Sequence, residues 1–134
     1  MGLAERRIAK DFQDNHLPAL QRRVDLAAGV ALPLEVHWES LTANAYSHAW
    51  LTEWPQLYFE PLIAALEQIT TDQMGREAVK QGLHRVVVED RDDNYSEDRW
   101  ATLAGGVLTL NYRFTSGNAE ARTRWLVRAL EKAL

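Results

Sequence analysis

Apolar positions recur mostly every three to four residues through the first two thirds of the chain and every two residues in much of the last third. Leu3, Ile8 and Phe12, separated by charged residues, predict an opening helix. Leu17, Leu20, Val24 and Ala27 or Ala28 continue the period beyond Pro18, with Asn15 as a cap and Gly29 as a stop. Residues 3–28 are therefore expected as two helices or one kinked helix. Leu34-Glu35-Val36-His37-Trp38 alternates and predicts a strand, with Leu34, Val36 and Trp38 inward and Glu35, His37 and Glu39 outward. Ser40 then caps a helix running toward Trp54, ended by Pro55, and a further helix starts near Pro61. Thr71 or Asp72 opens another, closed by Gly82.

The period changes at His84. Val86-Val87-Val88 reads as a strand. Gly105-Gly106, between two alternating runs, predicts a two-residue hairpin, because such a turn needs positive φ. That register pairs Ala104 with Val107, Leu103 with Leu108 and Ala101 with Leu110. It leaves Trp100, Thr102, Thr109, Asn111 and Arg113 on the outer face, solvated or in contact with another copy. Asn118 caps a last helix with Trp125, Leu126, Ala129, Leu130 and Ala133 as its stripe. The expected fold is one α+β domain over residues 1–134: a small antiparallel sheet of three to four strands, with the Gly-Gly hairpin, packed against several helices.

Charge sharpens this picture. The 134 residues carry a net charge of −4, and between Val24 and Gly75 there is no Lys or Arg against seven acids. A segment so biased repels phosphates, which argues against nucleic acid as a partner. No apolar run approaches the ~20 residues of a membrane span, and the N-terminal residues do not read as a secretory signal. The chain has no cysteine, which excludes disulfides, thiolate metal sites and a Cys nucleophile. A cytoplasmic location is the corresponding expectation.

Three clusters hold candidate chemistry. Tyr46, Trp50, Trp54 and Tyr58 recur every four residues, close to Glu53 and Glu60. They are either a core stripe or, with their acids, an anchor patch for a basic protein. Asp90, Asp92 and Asn94 match the start of a calcium loop, but Tyr95 stands where Gly is needed and Ala101 where Glu is needed, so no metal or other cofactor is expected. His37 between Glu35 and Glu39 is the one arrangement suited to acid–base work. No nucleophile elbow or phosphate-binding glycine loop is present. The function that suits this set is a non-enzymatic protein-binding domain, such as an acidic immunity-type inhibitor of a basic toxin. Its expected contacts are Tyr46, Trp50, Glu53, Trp54, Tyr58 and Glu60. The alternative is a small enzyme or ligand-binding domain using the His37/Glu35/Glu39 face.

Overall fold

The computed structural model describes residues 2–115 and 117–134. Helices α1 (Leu3–Asn15) and α2 (Leu17–Ala28) meet at His16, with Pro18 in the first turn of α2, where its missing N–H costs nothing. Gly29 ends α2 with φ +75°, a conformation that disfavours side chains with a Cβ. After strand β1 (Leu34–Val36) the chain turns at once into the short helix α3 (Trp38–Leu41).

The helix expected from Ser40 to Trp54 is interrupted. Thr42 Oγ1 donates back to the Trp38 carbonyl at 2.6 Å, and Asn44 Oδ1 accepts from the Tyr46 N–H and from Trp50 Nε1. Such local side-chain bonds compete with helix continuation. Helical structure resumes through a short 3₁₀ turn, Ser47–Ala49, into α4 (Trp50–Trp54). Pro55 does not end it. A π-helical turn, Pro55–Phe59, absorbs the proline and leads straight into α5 (Glu60–Ile69). Helix α6 (Gln73–Gly82) is capped by Asp72, which accepts from the Gly75 N–H at 2.8 Å.

Strands β2 (Arg85–Glu89), β3 (Ala101–Ala104) and β4 (Val107–Asn111) complete a four-stranded sheet in the order β1-β2-β4-β3. Gly105 and Gly106 have φ of +58° and +79°, and the β3–β4 hairpin keeps the register read from the sequence, with Leu103 opposite Leu108 and Ala101 opposite Leu110. The fold is α+β, but the sheet is mixed rather than wholly antiparallel: β1 with β2, and β2 with β4, are parallel. The reason is the connections. Helices α3 to α6 carry the chain back from β1 to β2, and β3 brings it back from β2 to β4.

Leu34, Val36, Val86, Val88, Leu108, Leu110 and Ala101 line up across the sheet and pack into the helical core. Their neighbours Glu35, Val87, Thr109 and Thr102 form the outer ladder. Trp100 was expected on that outer face and is instead buried. It sits in a helical conformation just before β3, which breaks the alternation, and its Nε1 donates to the Arg122 carbonyl at 2.9 Å. Helix α7 (Ala119–Ala133) is capped by Asn118 and buries Ala121, Arg122, Leu126 and Leu130. Trp125, expected in that stripe, is 38% exposed, under the Arg128 guanidinium. No helix among the described residues is long and apolar enough to cross a membrane.

Candidate functional site

Three parallel strands end at one edge of the sheet, and ligand crevices in sheets of this kind form beyond the carboxyl ends of parallel strands. Residues 37–40 leave β1 there, residues 90–94 leave β2, and residues 112–115 leave β4. Asp90 ties the three exits together. Its N–H donates to Ser40 Oγ at 3.1 Å, and that hydroxyl donates to the His37 carbonyl at 2.7 Å. Its Oδ2 accepts from the Phe114 N–H at 3.1 Å. The loop beyond is held by Asn94, whose Nδ2 donates to the Asn111 carbonyl and whose Oδ1 accepts from the Ser96 N–H. Asn94 is thus spent on loop structure. Asp92 and Asp93 carry φ of +61° and +51°, sparsely populated for any residue with a Cβ.

These exits enclose an open cleft of about 220 Å³, whose lining includes Asp90, Asp93, Arg113, Ser40, Asn44 and Tyr46. Tyr46, half exposed, stacks on Phe114 with ring centroids 5.3 Å apart and planes 15° from parallel. Beyond that ring pair lies a second recess reaching Glu53. Arg113, the cation on this rim, approaches Asp93 at 3.5 Å. Partial burial raises the pKa of the Asp90 carboxyl above its ordinary value near 3.8, against the hydrogen bond from Phe114; the nearby Asp93 raises it further.

That shift has a stability consequence of definite sign. A carboxyl that holds its proton more tightly when folded costs stability as pH rises from 3.8 through its higher folded value. Asp90→Asn preserves the acceptor for Phe114 and removes the charge. It is expected to be more stable than the native protein at pH 7, by less than about 1 kcal/mol given the open side of the site. Thermal unfolding between pH 3.5 and 7 checks this: the gap between the two proteins should close on acidification. A variant less stable than the native protein at pH 7 contradicts it.

The expected contact residues disperse. Trp50, Trp54 and Tyr58 are each 0% exposed and belong to the core, because the Trp50–Phe59 segment turns these rings toward α1 and the sheet. They cannot reach a partner, and the contact role expected of them is corrected. Glu60 is held by Arg23 through two hydrogen bonds, of 2.5 and 2.9 Å, which also keep its carboxyl below the ordinary range. Only Tyr46 and Glu53 of the six line the recesses at the strand ends. Tyr58 lies beneath: its hydroxyl donates to the Tyr112 carbonyl at 2.7 Å, and burial, then the Asp90 charge, push its pKa up.

The His37 face is also rearranged. Trp38 opens α3, so Glu39 leaves the alternation, and Glu89 of the neighbouring strand takes its place. His37 Nε2 is 3.1 Å from Glu35, and Nδ1 is 3.2 Å from both Glu89 and Arg91. Nδ1 either donates to Glu89 or accepts from Arg91, never both. With both ring nitrogens engaged, this is a charge network on the outer face of the sheet.

A larger groove, about 560 Å³, lies between α6 and α7 around Met74, Ala78, Val127 and Leu130. Its polar lining, Gln68, Thr71, Asp72 and Glu131, comes from helix ends and faces rather than from the strand ends. Asp90, Phe114, Arg113, Ser40 and Asn44 were not expected as site residues. The available signal was that Asp90, Arg113 and Phe114 close predicted strands and Ser40 follows one; Asn44, inside a predicted helix, gave none. No protein family, curated protein or solved structure matches the chain.

Proposed function

We propose that this domain binds a basic protein through the strand-end cleft, as an acidic inhibitor of the immunity-protein kind binds a cationic toxin. The observation that carries the reading is the Asp90 carboxylate set beside the Tyr46–Phe114 ring pair, whose Tyr46 ring is half exposed. Asp90, Asp92 and Asp93 with Glu53 beyond the rings outnumber Arg113 and Arg99, so the rim attracts cations at long range. The rings supply the short-range anchor. The same charge disfavours nucleic acid. A cytoplasmic setting belongs to this proposal, resting on the absence of cysteine. The enzyme alternative at His37 gains no support, since its ring nitrogens already contact Glu35, Glu89 and Arg91.

Affinity capture from the cells that make the protein tests the reading. The native chain should retain a basic protein, and a Tyr46→Ala/Glu53→Gln/Asp93→Asn variant of unchanged fold should lose it. Capture of the same protein by both chains would sink the proposal.

A further inference from the structure

We propose that the strand-end cleft is a socket for a single arginine side chain of the partner, its guanidinium paired with Asp90 and stacked on the Tyr46–Phe114 rings. This rests on the protein-binding reading and specifies what enters the site. Size is the first argument. At about 220 Å³ the cleft is smaller than the ~300–1,000 Å³ usual for small-molecule sites, so it fits one side chain better than a metabolite.

The second argument is the state of Asp90. Among the described residues its Oδ2 takes the Phe114 N–H, and Oδ1 receives no hydrogen bond. Its neighbours Asp92 and Asp93 add negative charge; Arg113 ion-pairs with Asp93 and acts on Asp90 only at longer range. A partly desolvated carboxylate with no cation in ion-pair contact is costly, and an incoming cation reduces that cost.

The aromatic wall is the third. Tyr46 and Phe114 lie nearly parallel, with Tyr46 half open to solvent. A planar guanidinium stacks on such a ring while its N–H groups reach a carboxylate, a geometry that the ammonium of lysine cannot reproduce. The socket therefore prefers arginine to lysine.

The test uses the whole protein and three capped tripeptides, acetyl-Gly-X-Gly-amide with X arginine, lysine or citrulline, followed by NMR titration. The arginine peptide should shift resonances of Tyr46, Asp90 and Phe114 and bind several-fold tighter than the lysine peptide, with the neutral citrulline peptide weakest. Asp90→Asn, isosteric and folded, should weaken the arginine peptide by about tenfold or more, as expected for losing a charged hydrogen bond. Equal binding of arginine and citrulline peptides, shifts confined to the Glu35–Glu89 face, or no binding at all would overturn the socket. If the socket fails while partner capture still depends on Tyr46, Glu53 and Asp93, the protein-binding reading stands without it. If capture also fails to depend on them, both are wrong.

Discussion

Trp54→Ala should lower the unfolding free energy by about 3–5 kcal/mol, the usual cost of removing a large buried ring. Trp54 is 0% exposed and stacks on Trp50 with centroids 5.2 Å apart and planes 11° from parallel. Phe12 meets its edge at 5.2 Å, and Trp38 lies 5.7 Å away. Removing it strips α1, α3 and α4 of their common contact. Since single domains are stable by only ~5–15 kcal/mol, the variant should be marginal at 37 °C. Tyr46→Ala, by contrast, removes a half-exposed ring and should cost no more than about 1 kcal/mol. Urea unfolding followed by tryptophan fluorescence separates the two. If Trp54→Ala costs less than Tyr46→Ala, the aromatic stripe faces outward after all, and the contact site moves back to it.

The second large effect is at Arg122, which is buried to 2% exposure in α7, with no carboxylate bonded to it among the described residues. Its guanidinium carbon lies 4.7 Å from the Tyr112 ring centre and 6.0 Å from that of Trp100, and Nε donates to the Leu57 carbonyl at 3.1 Å. Leu57 lies in the π-helical turn Pro55–Phe59, and residue 61, which would donate to its carbonyl in an α-helix, is a proline without an N–H. Arg122 thus gives that carbonyl a donor that Pro61 cannot. Burial lowers its pKa, yet guanidinium stays charged at any ordinary pH. Nη1 has no hydrogen-bond partner among the described residues. Arg122→Ala should cost about 2–4 kcal/mol, through the cavity and the lost hydrogen bond to the Leu57 carbonyl. Arg122→Met fills most of the space and removes a buried charge, so it should recover at least half of that loss. Denaturant unfolding of both variants decides the matter. A Met variant as unstable as the Ala variant would mean that the charge and its hydrogen bond, rather than packing, hold α7 to the sheet.

Local chemistry in the sequence was enough for the hairpin, because Gly105-Gly106 between alternating runs admits one tight turn and hence one register. The ends of α2, α6 and α7 were equally legible from Gly29, Asp72 and Asn118. Strand direction was not, since it depends on which non-adjacent strands pair: β4 beside β2 rather than in a meander. The break at residues 42–46 escaped the periodicity because Asn44 makes it through its bond to Trp50, six residues on. The site was hardest to read. A four-residue aromatic period looks the same whether it faces core or solvent, and here three of its four rings face the core. Tyr46, displaced from the helix by that break, is the one left exposed. Asp90 and Phe114, 24 residues apart, meet only through the parallel pairing of β2 and β4.

The most direct test of the cleft as the binding surface is amide hydrogen exchange on the protein with and without its captured partner. Binding at the strand ends predicts new protection at residues 42–46, 90–95 and 111–115, with the α6–α7 groove and the Glu35–Glu89 face unchanged. Protection confined to residues 68–78 and 127–134, or to the outer face of the sheet, would contradict the account.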